Sequence, residues 1–345
     1  MKKIFYLAAI ILAFTACDDD DDVKFPKDKY VYDIPDVPVT EDYAVGAFYD
    51  ELGGKYWTEK GPHSYTGNPV LGEYDLKKNP EILKAQLDYA AKAKIDFFVI
   101  SWNGHGSDTL LWNYESSYRS GHPKLVIKYD CQHFDGRRDS IHKDPAKAKF
   151  LNETDSLFRI LFTKDFYYKA GGEPVMVMSG YKPKTRSIVE SVKDMRGTRK
   201  IYVIGEIDHG WTSPELYSDT IKAFDGLYES IMATPDYDRN LYFYSFVDYN
   251  YKYWQEKLTA QSKDFIPVVH PAYYNRGYDP TSKVYELKRE KEVYQTFANV
   301  GKRNIGRHRM IIINSWNNYR DGSGLEPTEE FKETYLDMTR EFFKK

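Results

Sequence analysis

The chain has 345 residues, 41% of them hydrophobic, enough to bury one large core or two smaller ones. Its formal net charge is −3, with acidic and basic residues spread throughout, so it carries no electrostatic footprint for nucleic acid.

Residues 1–16 read as a processing signal. Lys2 and Lys3 precede an apolar run from Ile4 to Phe14, too short to cross a bilayer as a stable helix. Leu12-Ala13-Phe14-Thr15-Ala16-Cys17 resembles a bacterial lipobox; the alternative is a plain signal peptide with an incidental cysteine. The lipobox reading makes Cys17 the lipidated first residue of a mature protein held on the bacterial outer membrane. Cys131 is the only other cysteine, so no intramolecular disulfide is available after processing. Asp18 to Asp22 form a solvated acidic run that lacks the spaced geometry of a calcium loop. In some Gram-negative lipoproteins such a stretch resembles a surface-export signal. Residues 23–40, rich in Pro, Asp and Val, extend it into a tether, which leaves 41–345 as the folded domain.

Within that domain one pattern repeats: a short β-rich run ends in polar or aromatic residues, then a longer stretch of helical period follows. The runs are 44–49, 95–102, 124–130, 174–179, 200–206, 224–228, 265–270 and 310–316. Phe97-Phe98-Val99-Ile100, Val175-Met176-Val177-Met178 and Met310-Ile311-Ile312-Ile313 are apolar on consecutive positions, as strands buried on both faces are. Between them, Asn79-Pro80 predicts the cap and first turn of a helix carrying Ile82, Leu83, Leu87 and Ala90. Asp144-Pro145 predicts another, and a last one from Thr328 places Phe331, Tyr335, Met338 and Phe342 on one stripe.

Eight alternating strand–helix units imply right-handed crossovers closing into an α/β (β/α)8 (TIM) barrel, one domain. A doubly wound open sheet would carry a glycine-rich phosphate turn after its first strand. Gly53-Gly54 follows that strand, but no G-x-G-x-x-G opens a helix there.

A barrel of this kind builds its site from the carboxyl ends of its strands. They deliver Tyr49 and Asp50, Trp102, Asp130, Tyr181, Glu206 and Asp208, Tyr228 and Glu229, His270 and Tyr273. The last strand adds Asn314, Trp316, Asn317, Asn318 and Asp321. This is a bowl of aromatics and carboxylates. Aromatic faces stack on sugar rings while amides and carboxylates bind hydroxyls. A phosphorylated substrate would want Arg or Lys and a helix N-terminus, which these strand ends lack. The eight histidines form no H-E-x-x-H and no close His-Cys cluster, and Ser101 and Ser179 lack a G-x-S-x-G frame. The expectation is therefore a glycan partner with no metal and no cofactor.

Several segments together resemble glycoside hydrolase family 99 and its relatives. They are Gly46-Ala47-Phe48-Tyr49, Gly72-Glu73-Tyr74-Asp75, Lys94 to Trp102, Phe224 to Tyr228, Phe265 to Tyr273, and the stretch from Ser315 to Pro327. The resemblance implies a (β/α)8 endo-α-mannosidase-like protein that acts on α-linked, mannan-type glycans. It puts Trp102 in the sugar site, and the strand ends offer Tyr49, Tyr228, His270, Tyr273, Trp316 and Asn318 as further substrate contacts. Aligned on Gly322 and Leu325-Glu326-Pro327, the family's first catalytic glutamate meets Asn318 and its second meets Asp321.

The first of those glutamates deprotonates the sugar 2-hydroxyl in the family, and an amide cannot accept that proton. Asp321 can serve as general acid/base, with a side chain one methylene shorter than glutamate. Lys128-Tyr129-Asp130 also stands where the family has His-x-Glu-Pro-Tyr. Two readings follow: a hydrolase pairing Asp321 with Asp130 or Glu206, or a non-catalytic glycan-binding lipoprotein on a degenerate barrel. Glu326 reads either as a structural carboxylate or as a direct participant.

Overall fold

The computed structural model describes residues 29–58, 66–105, 108–207, 213–229, 242–274, 281 and 286–345. The signal segment, Cys17, the Asp18–Asp22 run and the strand-end Asp208 lie outside them.

The strands are β1 (Ala44–Tyr49), β2 (Phe97–Trp102), β3 (Lys124–Asp130), β4 (Lys169–Ala170), β5 (Glu173–Ser179), β6 (Tyr202–Glu206), β7 (Gly226–Tyr228), β8 (Asp264–Ile266), β9 (Val268–Val269) and β10 (Met310–Ile313). Their order is β8-β7-β6-β5-β3-β2-β1-β10-β9, with every neighbour along this path parallel. The two ends of the path, β8 and β9, are halves of one strand interrupted at Pro267. Proline has no N–H to give the ladder, but its carbonyl still accepts from Ile312 N at 3.0 Å. The sheet thus closes on itself as the eight-stranded barrel expected from the alternation, while β4 is an antiparallel stub on β5.

Successive strand residues point to opposite faces. One set (Phe97, Val99, Val126, Val177, Ile204 and Ile312 among them) fills the bore, and the other packs against helices. The crowding in the bore explains Gly46, where a Cβ would sit 2.1 Å from the Phe97 ring.

The helices used below are α1 (Gly54–Thr58), α2 (Pro80–Lys92), α3 (Asp108–Ser117), α4 (Ala146–Ile160), α5 (Arg186–Arg196), α6 (Ser218–Ala223), α7 (Phe243–Thr259), α8 (Lys291–Arg303) and α9 (Thr334–Phe343). α2 starts at the expected proline, but the Asn79 side chain does not cap it; it accepts from Asp75 N and donates to Glu81. α9 starts six residues after Thr328, whose hydroxyl instead closes a turn by accepting from Phe331 N.

The tether reading needs correction over residues 29–40. Tyr30 is buried against Phe246 of α7, the Tyr32 hydroxyl donates to Asp248, and Lys302 of α8 donates to the Val37 carbonyl. This segment is a strap on the barrel, so the packed structure begins before residue 41.

At the amino-terminal ends of the strands the carboxylates are tied down. Asp96 accepts from Val45 N and Lys344, and Asp225 accepts from Val203 N and Arg196. Asp264 accepts from Arg307 N and sits 2.6 Å from His308. Those groups stabilise the barrel base. The chemistry belongs to the other end.

Candidate active site

At the carboxyl end, strand alternation decides which tips reach the cup. β1 sends Phe48 and Asp50 inward and Tyr49 outward; β3 sends Lys128 and Asp130 inward and Tyr129 outward. β6 contributes Glu206 and β7 contributes Tyr228, which lies 5.6 Å from Phe48 across the bore. Those two rings make the floor. The Lys128 ammonium rests on it, 5.1 Å from the Phe48 ring, 6.0 Å from the Tyr228 ring and 3.8 Å from a Glu206 oxygen.

The wall beside β1 is the loop after β10. It folds back on itself: Leu325 N donates to the Ser315 carbonyl and Glu326 N to the Trp316 carbonyl. Arg289 pins it from α8's side by donating to the Gly322 and Gly324 carbonyls. The Asn317 side chain clasps both main-chain groups of Asp50, accepting from its N–H at 2.8 Å and donating to its carbonyl at 2.9 Å. Asp321 accepts from Ser323 N at 3.0 Å, from the Ser323 hydroxyl at 2.6 Å and from the Asn318 amide at 3.1 Å. Asn318 in turn accepts from Arg320 N at 3.0 Å, so its amide braces the loop.

The electrostatics single out two carboxyls. Part of Asp321 reaches solvent, but the protein packed around its carboxyl desolvates it and pushes it up to about 7; the Asp50 charge adds to this and the Ser323 hydrogen bonds oppose it. Asp50 is also raised, by desolvation, against the opposing pull of the Lys128 and Arg320 cations. Tyr56 of α1 feels both carboxylates, and its hydroxyl accepts from Tyr319 N and Arg320 N. Two neighbouring carboxyls, the charge of one acting on the other, are the setting in which an acid and a base are found.

Behind the wall lies a second, fully buried carboxyl. Glu326 accepts from Tyr74 at 2.7 Å, Tyr319 at 2.9 Å and Gln86 at 2.8 Å. Burial pushes it up to about 7 against those hydrogen bonds. Gln86 also accepts from the Tyr49 hydroxyl at 2.5 Å, and the Asn317 amide donates to Tyr74. Glu326 is therefore a structural carboxylate that steadies the Asp50 clasp from below.

The structure brings Asp321, Asp130, Glu206 and Asn318 to the cup. Tyr273 stands at its edge, pushed up to about 12 by burial and the Asp321 charge. Five expected sugar contacts are closed to substrate. Tyr49, Trp102, Tyr228, Trp316 and His270 are each no more than 1% exposed, which removes their faces from any substrate; the Tyr228 ring lies in the floor beneath Lys128. Trp102 stacks on Tyr129 and donates to Asp108 at 3.0 Å; Trp316 packs on Phe98. His270 stacks on Phe297 of α8, and burial holds its imidazole neutral, down to about 3. Asp130 takes the Gln132 N–H, and Glu206 faces Lys128.

Lys128, Phe48 and Arg320 were given no place in the site from the sequence, although counting every second residue back from Asp50 and Asp130 reaches Phe48 and Lys128. Two basic groups thus stand in a cup expected to hold few. Among the described residues no cluster of three or more His, Cys, Asp or Glu side chains is arranged to hold a metal ion.

Comparison with known proteins adds the family. Among solved structures, one described as a glycoside hydrolase-like protein superposes with a TM-score of 0.76 at 22% identity, covering 93% of this chain and 99% of that one. The GH99 endo-alpha-mannosidase from Bacteroides thetaiotaomicron, in complex with BIS-TRIS-propane, gives a TM-score of 0.67 at 19% identity, covering 88% and 97%. The same enzyme in a second structure gives 0.67 at 18% identity. At such identities the likeness is one of fold. No curated protein matches. A family model described as glycosyltransferase WbsX matches residues 147–339, which takes in Glu206, Tyr228, Asn318 and Asp321. With more than half of its length inside that match, on a barrel of the GH99 kind, the chain belongs to the WbsX glycosyltransferase family.

Proposed function

We propose that the protein is a glycoside hydrolase acting on α-linked, mannan-type glycans, with Asp321 as general acid/base and Asp50 as its carboxylate partner. The observation that carries this is the Asp50–Asp321 couple at the strand ends where barrel enzymes react: Asn317 clasps the Asp50 main chain to the loop that carries Asp321, and burial together with the Asp50 charge pushes the Asp321 carboxyl up to about 7. In the reaction Asp321 gives its proton to the leaving glycosidic oxygen as the C–O bond breaks. Asp50, ionised, either attacks the anomeric carbon or takes a proton from the incoming water. Transfer differs only in the acceptor, a sugar hydroxyl in place of water. The family's descriptive name is thus compatible with the same couple.

The test is incubation with α-mannan oligosaccharides and with other α-linked glycans, following new reducing ends and, with added acceptor sugars, transfer products. Release by wild type that is abolished in Asp321→Asn supports the reading. No release from any of them overturns it.

A second reading rests on Asn318. With an amide where the family's base would stand, and with that amide engaged by Asp321 and Arg320, the barrel can hold a glycan without cleaving it. Micromolar binding with no turnover supports that reading. We further propose that Cys17 carries a lipid anchoring the protein on the outer membrane surface. Labelled palmitate incorporated by wild type but absent from Cys17→Ser tests the anchor.

A further inference from the structure

The barrel has a second opening at its amino-terminal end, away from the cup. A cavity of about 820 Å³ lies between the α2–β2 turn, the α3–β3 turn and the start of β4. Three lysines line it. Lys124 opens β3 in register with Phe97, Lys94 stands in the turn before β2, and Lys169 begins β4. None of the three holds an ion pair among the described residues. Tyr118, Tyr168 and Ser120 also line the cavity, and among the described residues no protein acceptor takes their hydroxyls.

The carboxylates that could answer these lysines are mostly committed elsewhere. Asp96 accepts from Lys344 and from Val45 N, each at 2.6 Å. Asp42, whose charge Lys94 also feels, accepts from Lys345 N at 2.8 Å. Asp88 faces His122 at 2.9 Å, and the other nitrogen of that ring accepts from Arg119 N at 3.0 Å. Asp165 is left in the lining to balance three cations. Charged donors without acceptors favour an oxyanion, whose hydrogen bonds to ammonium groups are among the strong ones. The cavity also exceeds what a bare ion fills; pockets of about 300–1,000 Å³ take whole small molecules.

We propose that this cavity is a second, non-catalytic carbohydrate site, for a sugar that carries a carboxylate or phosphate group. The ammonium groups of Lys94, Lys124 and Lys169 take the oxyanion, and the tyrosine and serine hydroxyls serve the neutral oxygens of the ring. The sugar half of this inference follows the glycan reading of the family. The anion half stands on the cavity and does not depend on the Asp50–Asp321 couple.

The experiment is calorimetric titration of the intact protein at low salt with trigalacturonate, mannose 6-phosphate, inorganic phosphate and mannotriose. Wild type is compared with Lys94→Gln/Lys169→Gln, with the same pair plus Lys124→Gln, and with Lys84→Gln on α2 as a charge control. Lys94 and Lys169 are exposed, so the double variant should fold as wild type does. The expected result is that one charged sugar binds with a single site per chain, more tightly than inorganic phosphate or mannotriose. The double variant should weaken it about tenfold or more, added salt should weaken it too, and Lys84→Gln should not. Which charged sugar binds tells carboxylate from phosphate. Failure of both charged sugars to bind, or binding that survives the triple variant, overturns the proposal. Inorganic phosphate bound as tightly as either sugar also overturns it, leaving an inorganic-ion site. Cleavage of α-mannan, if wild type shows it, should be unchanged in the double variant, so this proposal and the hydrolase reading can fail separately.

Discussion

The Asn318 amide donates to the Asp321 carboxylate at 3.1 Å, three residues away in the same loop. Asn318 is thus a brace on Asp321. Asn318→Ala removes the brace and the acceptor of Arg320 N, and frees Asp321 to rotate. A misplacement on the order of 1 Å costs roughly a hundredfold in rate. The expected outcome is a fall of that size in kcat/KM, with the melting temperature changed little, measured by reducing-end release and calorimetry. Asn318→Glu sets a like charge beside Asp321 and should raise the Asp321 midpoint further, which a carboxyl titration reads.

Glu326 should behave as a structural group. Glu326→Ala leaves the Tyr74 and Tyr319 hydroxyls and the Gln86 amide without their buried acceptor. At about 1 kcal/mol or more for each unsatisfied group, unfolding free energy should drop by roughly 3 kcal/mol or more. Glu326→Gln, which keeps an acceptor oxygen, should lose less. Urea denaturation of both variants checks the order.

Stability should fall as pH rises. Asp321 and Glu326 both have folded proton affinities raised to about 7 from ordinary values near 4, so the folded state binds more protons across that interval. Their contribution is fully present below about pH 4 and is lost as pH rises through about 7. The urea midpoint should decline over that window and then level. Asp321→Asn combined with Glu326→Gln should flatten the decline.

Trp102 separates packing from sugar binding. With its indole N–H on Asp108 and its ring on Tyr129, Trp102→Phe should cost about 1–3 kcal/mol of stability and leave KM for glycan unchanged. In the bore, Gly46→Ala should cost a similar amount, because its methyl would meet the Phe97 ring. Thermal melts and substrate kinetics on the two variants check both statements.

The barrel was legible because its signal is periodic: apolar runs such as Met310 to Ile313 recur at the spacing of crossover units, and each became a strand. The site was legible only to the level of strand ends. Tyr49 and Trp102 looked like sugar contacts because they end strands and are aromatic, but one step of alternation turns them toward the helices. The same step turns Phe48 and Lys128 inward, and nothing in their residue types announces it. Asp321 was found from its place beside Gly322 and Glu326. Its partner Asp50 lies far away in the chain and is joined to it by closure of the sheet between β1 and β10. The docking of residues 29–40 was hidden by a composition that also suits a tether.

The pH dependence of kcat/KM for an α-mannan oligosaccharide tests the acid–base couple most directly. With Asp321 required in its protonated form, the rate should fall above a midpoint of about 7, and Asp321→Asn should abolish it. A wild-type profile that stays flat from about pH 5 to 9, or an Asp321→Asn variant as fast as wild type, would contradict the assignment.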